Sequence, residues 1–466
     1  MRQTTILSLI TAVAVAGASG SASAQAAKKQ QPPALGTPKA FKLPPKHEIT
    51  LANGMKVTFI PFGKIPKVTV VNALRTGNIE EAANETELGD VTGDLMREGT
   101  TSRTALQIAE QGAAMGGSVT VNIGEDVSQV GGTVLAENGP EMVRLVADVS
   151  RNPRFPESEL PRIIAGRVRG LSIARSQPGS LAREKFMAAI YGDHPYGHVY
   201  PTEAQLKGYT IGQVRGFYEK NFGAARSHLY VVGVFDQDAM EKVVRESFSD
   251  WKAGNPPTSR PASPKASAMV TLLDRPNAPQ STIMMGLPVI APGNKDFTAL
   301  QVTDAILGGT FGSRITSNIR EQKGYTYSPF STVSTHPGAA VWFEQADVTT
   351  KSTGASLTEI LKEIRRLQAD APPSAELEGV KNNMIGIFTL QNASRAGIAS
   401  QLINAETLGL GSDWVTGYVG RVSAVTPADV QRLAKEQLNA DKLTIVVVGD
   451  KKTVEEQVAP FQKPVP

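Results

Sequence analysis

Asp90 and Asp94 stand four residues apart in the stretch ELGDVTGDLMREGT, residues 87–100. In a helix that spacing puts both carboxylates on one face, where like charges repel by a few tenths of a kcal/mol, roughly, unless a cation lies between them. Two readings follow. In the structural one, Asp90 follows Gly89 at the expected helix start and caps free N–H groups, while Asp94 faces water. In the chemical one the pair marks a metal site, but two monodentate carboxylates without further oxygen ligands hold a hard cation only weakly. The five histidines, His47, His194, His198, His228 and His336, offer no helical pair with a carboxylate. His194 and His198 are also four apart, but the intervening Pro195 and Gly197 break helical geometry. There is no cysteine, no G-x-S-x-G elbow and no Walker phosphate loop, so nothing points to self-contained hydrolysis.

A second group lies in FTALQVTDAILGGTFGSRITSNIREQKGYTYSPFSTVS, residues 297–334. The pattern predicts a helix interrupted by Gly308-Gly309 and Gly312, resumed with Ile315 and Ile319, and stopped by Gly324. A strand then follows, in which Tyr325 and Tyr327 alternate with Thr326 and Ser328 and point to one face. The guanidinium of Arg320 and the phenol of Tyr327 could both donate to a carbonyl oxygen that gains charge. Their ordinary roles are humbler: an arginine near a helix end pairs with carboxylates or carbonyls, and a strand tyrosine packs in the core.

The elements that must position these residues are legible. HEITLANGMKVTFIPF, from His47, is two alternating runs around Asn53-Gly54, a hairpin signal. The stretch AGNPPTSRPASPKAS, residues 253–267, carries four prolines and almost no large apolar side chain, and reads as a linker. On either side of it the chain repeats itself. TIGQVRGFYEKNFGAARSHLYVVGVFD from Thr210 and TPADVQRLAKEQLNADKLTIVVVGDKK from Thr426 align without a gap, so that Val231, Val232 and Gly233 fall on Val447, Val448 and Gly449. So long a period means duplicated domains rather than a solenoid. Helices and strands mix without a βαβ rhythm, which predicts an α+β fold of two homologous domains, each a largely antiparallel sheet with helices mainly on one face.

The N-terminal residues, basic at Arg2, apolar from Ile6 to Ala16 and ending in Ala22-Ser23-Ala24, read as a signal peptide cleaved after Ala24. The expected division is therefore signal peptide 1–24, extended arm 25–46, first domain 47–252, linker 253–267 and second domain 268–461. An exported, periplasmic chain without a stable membrane span is expected. Lys and Arg number 48 against 44 Asp and Glu, a balance that argues against a nucleic-acid surface.

Taken together, the Asn53-Gly54 hairpin, LMREGTTS at 95–102, GDHPYG at 192–197, the strand ending at Gly233 and LGGTFGSRITSNIREQKGYTYS at 307–328 resemble the pitrilysin/insulinase family of zinc peptidases. The chain is similar in particular to bacterial members related to the mitochondrial processing peptidase and to the core proteins of respiratory complex III. Active members carry H-x-x-E-H, two zinc-binding histidines and a glutamate that activates water. Counting back from Gly99-Thr100, the resemblance places the histidines at Asp90 and Asp94 and the glutamate at Gly93, and the third ligand near Arg169-Gly170-Leu171, where no carboxylate stands. It also implies that Arg320 and Tyr327 hold the substrate backbone. The resulting expectation is a chain with no cofactor of its own, lending Arg320 and Tyr327 to a zinc-bearing homologous partner that hydrolyses peptides. The alternative is an inert structural or peptide-binding homologue.

Overall fold

A computed structural model of the chain describes Gly36 and residues 38–462. The signal segment 1–24 and the start of the arm lie outside the described residues. The hairpin forms where Asn53-Gly54 places it, joining β1 (His47–Thr50) to β2 (Lys56–Pro61) in antiparallel register, Thr50 opposite Lys56. Gly54 takes the left-handed conformation the turn requires, φ 89°. The Asn53 amide donates to the carbonyls of Phe248 and Trp251, at 2.7 and 3.0 Å, and pins the turn to the body.

Two sheets follow, one from each half of the sequence. The first contains β1, β2, β3 (Lys67–Leu74), β4 (Thr120–Asn122), β5 (Ser128–Leu135) and β6 (Ser227–Gly233), in the order β1-β2-β6-β3-β5-β4. The second contains β7 (Val270–Asp274), β8 (Gln280–Val289), β9 (Phe330–His336), β10 (Ala339–Thr349) and β11 (Thr444–Gly449), in the order β7-β11-β8-β10-β9. The repeat seen in the sequence is a repeat of topology. Each copy is a helix, a strand and a helix: Ile211–Asn221, β6 and Gln237–Phe248 in the first, Pro427–Gln437, β11 and Lys451–Val458 in the second. Thr210 and Thr426 both cap their helices through capping boxes, with Gln213 and Asp429 as partners. Moreover, β6 pairs parallel with β2 and antiparallel with β3, and β11 does the same with β7 and β8. All other pairings are antiparallel.

Each half covers one face of its own sheet and lends a helix to the other. In β11, Ile445 and Val447 face the second half's own helices, whereas Val446 and Val448 alternate to the opposite face. That opposite face is covered by the helix Pro178–Tyr191, whose Ala182, Phe186, Met187 and Ile190 come from the first half. Reciprocally, the helix Arg395–Thr407 from the second half lies over Ile60, Tyr230 and Val232 of the first sheet. Both sheets are therefore buried on two faces. A polar joint supplements this exchange: Glu406 accepts from Tyr230 at 2.6 Å and meets Nδ1 of His228 at 2.5 Å. The 253–267 stretch has no helix or strand but is tethered, Thr258 donating to Glu80 and Arg260 to the carbonyls of Ile79 and Glu81.

Candidate functional site

The helix Leu88–Met96 sets Asp90 and Asp94 on one face, as expected, and the cation between them is an arginine. Arg167 comes from the middle of the helix Leu160–Ser176. Its guanidinium lies 3.2 Å from Asp90 Oδ1 and 2.8 Å from Asp94 Oδ2, and 3.3 Å from Glu87 Oε2. Burial works against the arginine's charge, but Asp90, Asp94 and Glu87 outweigh it and hold its pKa above the usual guanidinium value. Asp94 also binds Arg97, one turn further along its own helix. A cleft of about 630 Å³ opens beside this network, lined by Arg97, Arg162, Arg169 and Tyr200 among others.

Gly93 lies on the buried side of the same helix against the edge strand β4. A Cβ added there would stand 2.5 Å from Ile123 Cγ1 and 3.0 Å from its Cδ1, so the isoleucine fills the space a longer side chain would need. A zinc ion with a water-activating base does not fit this donor set, because a fixed guanidinium sits between the carboxylates and there is neither an imidazole nor room for a glutamate. Among the described residues, no cluster of three or more His, Asp or Glu is arranged to hold a metal ion.

The capping reading of Asp90 needs correction. The residue before the helix, Glu87, adopts a left-handed conformation, φ 67°, and caps nothing with its side chain. The carboxyl of Glu81 does the capping, accepting from the backbone N–H of Gly89 at 2.8 Å and of Glu87 at 3.1 Å. Asp90 instead accepts from Asn78 at 2.8 Å. Burial pushes Glu81 up to about 8 against the pull of these donors. An acid whose pKa is raised by folding favours the folded state while protonated, so its contribution is complete below the unfolded value of about 4.5 and fades as pH rises through about 8. Stability should therefore fall over that window by at most about 1.4 kcal/mol per pH unit for this group. Glu81→Gln should flatten the slope in a pH series of thermal melts, and an unchanged slope would refute the assignment.

In the second half, the broken helix takes the form of two π-helical turns, Ala305–Gly309 and Thr316–Gln322, on either side of Gly312. Such turns are rare and recur at functional sites. Arg320 lies in the second. The chain after Gly324 is not the expected strand: Thr326 makes a single bridge to Val348, and β9 begins only at Phe330. Tyr325 and Tyr327 consequently do not share a face. Tyr325 packs against the core, whereas Tyr327 is 78% exposed, its ring centroid 5.1 Å from the Arg320 guanidinium. Among the described residues, no hydrogen bond, ion pair or ring contact of the Arg320 or Tyr327 side chain reaches the first half. GDHPYG is a turn, with a short 3-10 stretch at Pro195–Gly197, and His194 accepts from the Tyr196 N–H.

Residues 209–384 match the family model described as Peptidase M16 inactive domain. The chain is related to the M16 peptidases. Its curated relatives include an uncharacterized zinc protease of Rickettsia felis, 26% identical over 63% of this chain and 71% of that one. Another is the uncharacterized zinc protease YmxG of Bacillus subtilis, 23% identical over 84% of this chain and 95% of its own. In fold, the chain is similar to a peptidase M16 inactive domain from Pseudomonas fluorescens (TM-score 0.80, 22% identity, covering 87% of this chain and 98% of that one). It is also similar to a protease from Helicobacter pylori (TM-score 0.81, 17% identity, 88% and 100%).

Sequence reasoning does not single out Arg167, because the resemblance directs attention to a carboxylate two to four residues further on. A signal was present. Ile163 and Leu171, one turn before and after Arg167, are apolar and buried, so the arginine shares their inward face.

Proposed function

We propose that this M16-type chain is the non-metal subunit of a two-chain zinc peptidase, exported to the periplasm, which lends Arg320 and Tyr327 to a homologous zinc-bearing partner. The observation that carries this reading is an asymmetry between the halves. In the first, a guanidinium lies between Asp90 and Asp94 and an isoleucine side chain packs against Gly93, the positions that the resemblance assigns to metal and base. In the second, the half-buried guanidinium of Arg320 lies beside the exposed ring of Tyr327, and among the described residues neither side chain makes a hydrogen bond or ion pair with the first half. A donor pair left free in this way suits a peptide carbonyl presented from another chain, where donors aimed at developing charge lower the barrier. The chain's own part is to bind and orient the peptide. Water activation belongs to the partner's metal site.

The reading is tested by mixing this chain with a zinc-bearing M16 protein from the same organism and following co-elution by size exclusion. A stable 1:1 complex is expected, and a neighbouring reading frame for such a protein makes the choice of partner. Two separate peaks at micromolar concentration would favour the inert, structural or peptide-binding reading instead.

A further inference from the structure

Arg320 lies against two aromatic rings. Its guanidinium carbon lies 4.3 Å from the ring centroid of Phe311 as well as 5.1 Å from that of Tyr327. Phe311 is 74% exposed, an unusual place for a phenylalanine whose loop could have turned it inward. The loop that carries it is fixed at its base. A Cβ on Gly308 would stand 2.5 Å from Ser331 Oγ and 2.7 Å from Glu344 Oε2, and one on Gly309 would stand 2.7 Å from Asp304 Oδ2. The glycines thus let the first π-helical turn settle onto buried Asp304, which accepts from Ser331 at 2.5 Å and from Trp342 at 2.8 Å. From that anchored base the chain projects Phe311 outward against Arg320.

We propose that Phe311 is a positioning residue for Arg320, a ring that together with Tyr327 holds the guanidinium in place for an oxygen acceptor. The warrant is chemical. An arginine side chain loses several rotatable bonds' worth of freedom when it binds, and a ring already stacked on it takes that loss in advance. Both ring faces attract the cation through their quadrupoles. The planar guanidinium presents its donors in its own plane, the orientation that suits a planar acceptor such as a peptide carbonyl. Among the described residues, the one charged group paired with Arg320 is Glu321, whose Oε1 lies 3.4 Å from Nη1 without hydrogen-bond geometry.

The use of this clamp in peptide binding rests on the function proposed above, whereas the clamp itself does not, and the test separates them. In the chain alone, labelled at arginine, the δ-methylene protons of Arg320 (assigned by their loss in Arg320→Lys) should be shifted upfield by the rings, and Phe311→Leu should remove much of that shift. In the assembled peptidase, Phe311→Leu should raise KM about fivefold with kcat nearly unchanged, and Phe311→Trp should restore it. Leucine keeps the apolar bulk and loses only the π face, so a merely structural role would not separate it from tryptophan. An unshifted Arg320 signal in the native chain would overturn the clamp whatever the activity. A shifted signal with an unchanged KM in Phe311→Leu would overturn its part in binding. Absence of activity from the native mixture would count against the proposed function and leave the spectroscopic result to decide the clamp.

Discussion

Arg167→Ala is expected to destabilise the chain by about 2 kcal/mol. Removing one partner from a fully buried charge network costs about 3–5 kcal/mol, because the remaining charges are left desolvated and unpaired. Here the side chains of Arg167, Glu87, Asp90 and Asp94 are each between 20% and 26% exposed, so water recovers part of the loss. The sign is secure because three carboxylates would face one another with nothing between them. Neutralising two of them should therefore rescue the variant in part: Arg167→Met combined with Asp90→Asn and Asp94→Asn should regain much of the stability in urea melts. Millimolar calcium or manganese should also stabilise Arg167→Ala and leave the native chain unmoved, since only the variant has room for an added cation. A loss under 0.5 kcal/mol, roughly the value of an exposed pair, would mean that the arginine is an ordinary surface partner rather than a replacement for a metal.

Arg320→Ala should lower kcat/KM of the assembled peptidase by about a hundredfold, the usual consequence of removing one donor from developing negative charge. The fold should suffer little, because among the described residues Arg320 holds no hydrogen bond to another side chain and its one ion pair is a long approach to Glu321. Thermal melts of the variant should match those of the native chain, which separates lost binding from lost structure. Arg320→Lys should recover little, since an ammonium cannot stack between the rings or present two N–H groups in one plane. Full activity in Arg320→Ala would remove the residue from the account.

The architecture was legible in the sequence because its signals are periodic and local. The Asn53-Gly54 turn, the Thr210 and Thr426 caps and the paired Val-Val-Gly strand ends each dictate a short-range geometry, and together they give the two sheets. The exchange of helices was not legible. Phe186 and Ile190 form an apolar stripe that specifies burial but not which sheet does the burying. The same holds at the first-half site. That Asp90 and Asp94 share a face follows from spacing, but the identity of the intervening cation depends on how two helices pack, and Arg167 is seventy-three residues from Asp94 in the chain. Asp90 misled as a cap because its position suited the role, whereas Glu81 reaches the helix end only through the fold. At the second site, alternation promised that Tyr325 and Tyr327 would point the same way. The chain between Gly324 and Phe330 is not extended in a sheet, so the alternation has no pleat to act on and the two rings part.

The most direct test of the central claim is peptide cleavage by three samples supplied with zinc, namely this chain alone, a zinc-bearing M16 protein from the same organism alone, and the two mixed, with the metal content of each chain measured. The account predicts cleavage in the mixture well above that of either chain, with the zinc carried by the partner. Zinc held by this chain together with cleavage by it alone would contradict the account, and so would a partner whose activity is unaffected by mixing.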